Sequence, residues 1–192
     1  IPPGAGVHTM FKVAVLVGSI RPNSSNLQFA KALEKLALGR LQFDFIDLGA
    51  LPFYDETLWD NPPASVLDMK ERIAAADAVL FVTPEYNRSV SGVLKNAIDV
   101  GSRPYGKSVW SGKPGAVVSV SGSAIGAFGA NHHLRQSMVF LDVPMLQQPE
   151  AYIGHADKLY AEDGSIQVES TREFMSKFLL AFEQWIARNP AH

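Results

Sequence analysis

The chain has 192 residues, 47% hydrophobic and 19% charged, and a net charge of −2. That length and balance suit one globular domain with a sizeable core. The near-neutral charge leaves no footprint for nucleic acid or an anionic membrane surface, and no apolar run approaches the ~20 residues a bilayer span needs. Cysteine is absent, which excludes disulfides, thiolate metal sites and cysteine nucleophiles and accords with a cytoplasmic setting.

Residues 1–9 carry two prolines, two glycines and no periodic pattern ahead of Met10, a candidate native start. No charged segment leads into an apolar one, so they do not read as a signal peptide. They read as a remnant of expression, which leaves 10–192 as a single domain.

The first element is Lys12–Val17, a β-branched apolar run expected of a strand buried on both faces. The segment Gly18-Ser19-Ile20-Arg21-Pro22-Asn23-Ser24-Ser25-Asn26 follows, and then a helix over Leu27–Leu36 capped by Ser24 or Ser25. A loop rich in hydroxyls, carrying one arginine and feeding a helix N-terminus, is suited to a phosphate. The helix end supplies unpaired N–H groups and a partial positive charge, and Arg21 supplies a fixed, forked one. Ser19, Ser24, Ser25 and Asn26 add neutral donors. Leu41–Leu48 alternates as a second strand. Leu51–Pro63 is a long proline-bearing loop, and Ala64–Ala76 an amphipathic helix. Ala78–Thr83 is a third strand and Val93–Val100 a short helix. Gly115–Val120 is a fourth strand, Ala130–Leu141 a helix and Val143–Leu146 a short fifth strand. A last helix over Ser170–Arg188 carries Phe174, Phe178, Leu179, Phe182 and Trp185 at helical spacing, a core stripe.

Five strand–helix units in succession imply a parallel sheet with helices on both faces. Ligands of such sheets bind beyond the C-terminal strand ends, where the strand order reverses. Three polar loops leave those ends: Gly18–Asn26, Pro84–Ser91 and Ser121–Gly129.

Other motifs fail on context. Gly101-Ser102-Arg103-Pro104-Tyr105-Gly106-Lys107-Ser108 satisfies the phosphate-loop pattern, but a helix precedes it where a strand is required. Gly122, Gly126 and Gly129 lack dinucleotide-fingerprint spacing and follow the fourth strand rather than the first. His132 and His133 are adjacent and point to different helix faces, as surface or interface histidines do rather than a metal pair. No Gly-x-Ser-x-Gly elbow supports a serine hydrolase.

The loop Gly18-Ser19-Ile20-Arg21-Pro22-Asn23-Ser24, with Thr83-Pro84-Glu85-Tyr86-Asn87 and Leu94-Lys95-Asn96-Ala97-Ile98-Asp99, resembles the NADPH-dependent FMN reductase family, which includes flavodoxin-like quinone, chromate and azo reductases. The resemblance spans nearly all of Met10–Arg188. It implies a flavodoxin-like three-layer α/β sandwich whose five-stranded parallel sheet has the order 2-1-3-4-5. It implies that Ser19, Arg21, Ser24, Ser25 and Asn26 bind the FMN phosphate. Pro84, Glu85, Tyr86 and Asn87 would line the isoalloxazine, largely through backbone groups, and Ser121 and Gly122 would pass under its other edge. The flavin would carry the redox chemistry, so no catalytic triad, carboxylate pair or metal is expected. NADPH or NADH would be the co-substrate and quinones the acceptors, with chromate, ferric, azo or nitro compounds as further acceptors. A homodimer or homotetramer is implied too. An arginine that some relatives carry near the position of Gly129, at subunit contacts, is missing here.

Each residue also has a plainer reading. Arg21 could be a solvated loop arginine, Ser25 a helix cap, Glu85 a solvent-facing carboxylate and Tyr86 a packing or subunit-contact aromatic. Arg88 and Arg103 are candidates for a ribose 2′-phosphate. The alternative function is a flavodoxin-type electron carrier or a flavin-binding module. Such carriers are strongly acidic, whereas this chain is near neutral.

Overall fold

The computed structural model describes residues 10–192; the reading of 1–9 as an expression remnant falls outside the described residues. The elements run β1 (Phe11–Val17), α1 (Ser25–Leu36), β2 (Leu41–Phe45), α2 (Ala64–Ala75), β3 (Ala78–Thr83), α3 (Gly92–Gly101), β4 (Gly115–Val120), α4 (Phe128–Phe140), β5 (Ala151–Ile153) and α5 (Glu169–Arg188). The sheet order is β2-β1-β3-β4-β5, with every neighbouring pair parallel. This is the flavodoxin-like arrangement that the family resemblance implies.

The layering follows from the order and from handedness. A parallel crossover is right-handed, so a helix serving a leftward step covers one face and helices serving rightward steps the other. Accordingly α1 and α5 pack on one face, where Phe29, Leu33, Phe178 and Phe182 meet Val13, Val15, Leu80 and Val118. The opposite face is covered by α2, α3 and α4, with Met69, Ile73, Leu94, Ile98, Leu134 and Met138 against Ala14, Leu16, Phe81 and Val117. Because both faces are covered, β3 and β4 are buried at every position. Each fully buried valine or leucine contributes about 1.5–3 kcal/mol of transfer free energy.

The fifth strand lies later than expected. Val143–Leu146 makes only an isolated parallel bridge, Met145 with Gly115, and β5 pairs with β4 from Ala151 onwards. Pro144 and Pro149 have no N–H to donate, so a continuous ladder cannot form through that stretch. The second strand is also shorter than expected, ending at Phe45. The long loop holds a 3-10 turn over Glu56–Asp60, capped by the Asp55 side chain on the Thr57 N–H. Beyond β5, a second 3-10 turn over Ala156–Lys158 precedes a bridged turn between Tyr160 and Ile166. Gly101, part of the phosphate-loop match, closes α3 against an indole. A Cβ there would lie 2.7 Å from Trp110, whose Nε1 donates to the Ile98 carbonyl at 2.9 Å. Among the described residues no helix is long and apolar enough to cross a membrane.

One ion pair fastens α2 to the edge strand. Arg72 pairs with Asp44 through two nitrogens and donates to the Phe45 carbonyl at 2.7 Å. The hydrogen bonds from Arg72 hold the Asp44 carboxyl below its ordinary value of 3.8, against the opposing effect of burial. A depressed carboxylate pKa stabilises the fold above the unfolded value and loses that contribution as pH falls through the folded value. Replacing Arg72 with Met is therefore expected to lower unfolding free energy at pH 6, with the difference narrowing as pH drops below 3.8. Urea titrations of both proteins across that range check it; an offset independent of pH would contradict the assignment.

Candidate functional site

The site forms where β1 and β3 part company. Gly18 donates its N–H to the Val82 carbonyl at 2.8 Å, one rung beyond β1. A Cβ on Gly18 would lie 2.8 Å from Pro84 Cδ and 3.2 Å from Ser91 Oγ, so only glycine lets the first and second loops approach this closely. From this point α1 leaves toward one face and α3 toward the other, opening a crevice at the reversal of strand order.

The first loop ends in a tight turn. Asn23 adopts a left-handed φ of 55°, and the Ser24 N–H donates to the Arg21 carbonyl at 3.2 Å. Ser24 is the N-cap of α1: its Oγ accepts the Leu27 N–H at 3.1 Å. Ser25 is the first helical residue. The N–H groups of Ser25 and Asn26 sit in the first turn, where the helix offers them no acceptor. The Ser19 and Ser25 side chains are half-buried and Arg21 is exposed. Among the described residues Arg21 makes no ion pair. The Asn26 side chain faces inward instead. Its Nδ2 donates to the Val120 carbonyl at 3.3 Å, tying α1 to the end of β4. That leaves its backbone N–H, rather than its amide, for an anion.

The second loop is a two-residue turn. Tyr86 and Ser89 exchange backbone hydrogen bonds at 2.9 and 3.1 Å across Asn87 and Arg88, whose φ values are 53° and 65°. Asn87 tolerates the left-handed region better than most residues. Pro84 is buried, and Tyr86, Asn87 and Arg88 are exposed. Glu85 does not face solvent. One carboxylate oxygen accepts the Ala130 N–H at 3.1 Å in the first turn of α4, and the other pairs with Arg88. A carboxylate there complements the unpaired donors and positive end of a helix. Gly129 makes room for it, since a Cβ at that position would lie 2.6 Å from Glu85 Oε1. Sequence reasoning missed this role because it depends on a glycine far along the chain.

The third loop begins with Ser121, which donates its N–H to the Ile153 carbonyl at 2.9 Å and caps the Ser123 N–H with its hydroxyl at 3.0 Å. Gly122 is exposed, and a Cβ on it would enter open space. The structure thus brings all three loops to one edge of the sheet. The two histidines diverge from one another: His132 Nε2 lies 2.7 Å from the Tyr152 hydroxyl, and His133 Nδ1 3.0 Å from the Ser89 hydroxyl. Burial and the neighbouring Glu150 push the Tyr152 hydroxyl up to about 12, so it stays protonated at neutral pH.

This edge has what a phosphorylated aromatic ligand needs: free helix N–H donors, hydroxyls and a guanidinium on one loop, with a tight backbone turn and open space beside a glycine on the others. Replacing Ser24 with Ala is expected to destabilise the protein by about 1 kcal/mol through loss of the cap, read by urea denaturation; an unchanged midpoint would refute the capping role.

Comparison with known proteins identifies the family. The family model for NADPH-dependent FMN reductase matches residues 11–158. A quinone reductase of Pseudomonas putida is 52% identical over 183 residues, covering 95% of this chain and 98% of the relative. A 2-hydroxy-1,4-benzoquinone reductase of a Burkholderia species is 46% identical over 175 residues, covering 91% and 96%. Among solved structures, the flavoenzyme FerB of Paracoccus denitrificans, an NAD(P)H:(acceptor) oxidoreductase, superposes with a TM-score of 0.91 at 46% identity, covering 94% of this chain and all of that one. A flavodoxin variant of Pseudomonas aeruginosa, 17% identical with a TM-score of 0.57, shares the fold alone. The chain belongs to the NADPH-dependent FMN reductase family of flavin oxidoreductases, with FMN as cofactor and NAD(P)H as co-substrate.

Proposed function

We propose that the chain is an FMN-dependent NAD(P)H oxidoreductase that reduces quinones. The observation that carries this reading is the meeting of three loops at the β1–β3 reversal, with the first-turn N–H groups of α1 on the same loop as Arg21, which makes no ion pair among the described residues. The phosphate would take the Ser25 and Asn26 N–H groups, the Ser19 and Ser25 hydroxyls and the Arg21 guanidinium. Ser24 contributes by setting the helix end, because its oxygen already caps Leu27. Pro84, Tyr86 and Asn87 would present the backbone turn to one side of the ring, with Glu85 locking that turn onto α4. Ser121 and Gly122 would pass beneath the other edge, in the space that a side chain at Gly122 would enter.

Bound FMN would supply the redox chemistry between a nicotinamide and a second substrate. The protein's part is to hold, orient and screen it. The rim at Tyr86, Asn87 and Arg88 is exposed, which suits sequential visits by a nicotinamide and then by flat acceptors. Quinones come first, with chromate, ferric, azo or nitro compounds as further acceptors. Arg88 is already paired with Glu85, which weakens its fit to a ribose 2′-phosphate. The absence of a membrane-spanning helix among the described residues is in keeping with a cytoplasmic reductase. The electron-carrier alternative draws only on the shared fold.

The purified protein should be yellow, and anaerobic NADPH alone should bleach its flavin bands; a flavin that stays oxidised would favour the carrier. Each charge-assisted hydrogen bond to phosphate is worth about 1.5–3 kcal/mol, so Arg21→Ala should weaken FMN binding by roughly 10- to 100-fold. Fluorescence titration measures this, and unchanged affinity would remove Arg21 from the phosphate site.

Self-association belongs to the same proposal. The groove between α3 and α4, about 460 Å³, is lined by Tyr54, Lys95, Asp99, Arg103 and Phe140, and Phe140 is 87% exposed at the end of α4. An apolar side chain so placed is suited to a second copy of the chain. Light scattering should give at least a dimer and Phe140→Asp should shift it toward the monomer; a monomeric parent would overturn the assignment.

A further inference from the structure

The geometry points to Ser119 and Asn131 as positioning residues that hold the third loop in the shape the flavin site uses. This inference rests on the loop's assignment to FMN in the preceding reading. Both side chains are fully buried, on β4 and α4 respectively, the two elements that also supply Val117, Leu134 and Met138 to the apolar core. Ser119 Oγ donates to the Gly126 carbonyl at 2.7 Å and accepts from Asn131 Nδ2 at 3.2 Å. Asn131 Nδ2 also reaches the Ala151 carbonyl of β5 at 3.3 Å, and its Oδ1 accepts from Arg135 Nε at 3.1 Å. Arg135 in turn donates to the Leu146 carbonyl at 3.0 Å. The amide orientation follows from these partners: a carbonyl lies on one side and a guanidinium on the other, so the group fits one way round.

The network holds a strained segment. Gly126 and Ala127 are consecutive left-handed residues, with φ of 65° and 58°. At Gly126 a Cβ would lie 2.7 Å from the backbone of Tyr152. Ala127 is the N-cap of α4 and offers the helix no side-chain cap. A non-glycine residue stays in this region only where its surroundings over-determine it. Here Ser119 grips the Gly126 carbonyl, and the Asn131 N–H takes the Ala127 carbonyl at 3.1 Å. The loop's start is pinned separately. Ser121 bonds Ile153 through its N–H, and its carbonyl accepts the Ala156 N–H at 3.2 Å. The Ser123 carbonyl also accepts the His155 N–H at 3.2 Å, so Ala124 and Ile125 span from that anchor to the exit, and the buried pair at Gly126 sets how they close the loop behind Gly122.

A purely structural network would change stability and leave the ligand alone. The test compares Ser119→Ala, Ser119→Thr, Asn131→Ala and the double Ala variant as full chains. It reads FMN affinity by titration of the flavin-stripped proteins, the midpoint potential of the bound flavin, and the thermal midpoint without flavin. Each single Ala variant is expected to bind FMN about tenfold more weakly, a change of roughly 1.4 kcal/mol, and to shift the flavin potential. Ser119→Thr, which keeps the hydroxyl, should bind within about threefold of the parent, and the double Ala variant should bind about as weakly as either single Ala variant, since both residues act through one network. Parent-like affinity and potential in both Ala variants, whatever their thermal midpoints, would overturn the inference, as would a loss that Ser119→Thr shares in full. Failure of the parent itself to bind FMN would instead overturn the functional reading on which the inference rests. If Asn131→Ala does not fold, the Ser119 pair decides the matter alone.

Discussion

One backbone hydrogen bond sets the position of the site: Gly18 N–H to the Val82 carbonyl. It extends the β1–β3 ladder past the end of β1 and draws the first loop against Pro84 and Ser91, a contact that a Cβ on Gly18 would block. Beyond this rung the chain has no choice of direction. Right-handed crossovers send α1 to one face and α3 to the other. A gap between the diverging helices is the consequence, and the loops of β1, β3 and β4 all border it.

Within that gap the chain sorts its polar groups into two jobs. Some are consumed in holding loops still: Ser24 on Leu27, Asn26 on Val120, and Glu85 on Ala130. Others have donors unspent among the described residues, chiefly Arg21 and the N–H groups that open α1. The division matters because a residue type alone does not reveal it. Ser24, Ser25 and Asn26 look equivalent as donors in sequence, yet cap geometry gives the first to the helix and burial turns the third inward.

Much of this was legible beforehand. The runs at β1, β3 and β4 could be read because strands buried on both faces are continuously apolar, and the helix that follows the first loop could be read from its cap. The fifth strand was misplaced because Val143–Leu146 and Ala151–Ile153 are similar short apolar runs, and only the pairing with β4 separates them. Pro144 was the available signal. The seat of Glu85 was not legible: it needs the missing side chain at Gly129 to be adjacent to it, and no local pattern encodes a contact between residues 85 and 129.

The buried polar side chains point to the same edge as the loops do. Among the described residues they are Ser24, Asn26, Thr83, Ser91, Lys113, Ser119 and Asn131. Lys113 lies at the N-terminal edge of the sheet, donating to the carbonyls of Ala74 and Ala76 at the end of α2. All the rest stand at C-terminal strand ends or in the helix starts that follow. Thr83 and Ser119 are register partners on β3 and β4. Burying a hydroxyl or amide without a partner costs about 1–3 kcal/mol, and a satisfied one adds little stability over an apolar side chain. Ser24 and Ser91 cap helices and add stability there, but stability alone gives no such reason for Asn26, Thr83, Ser119 and Asn131 to gather at one edge. Their partners include Leu27, Pro84, Leu94, Val120 and Gly126, backbone groups in or bordering the three loops. The apolar interior therefore supplies most of the stability, and this row of buried polar groups fixes the geometry of the loops at that edge.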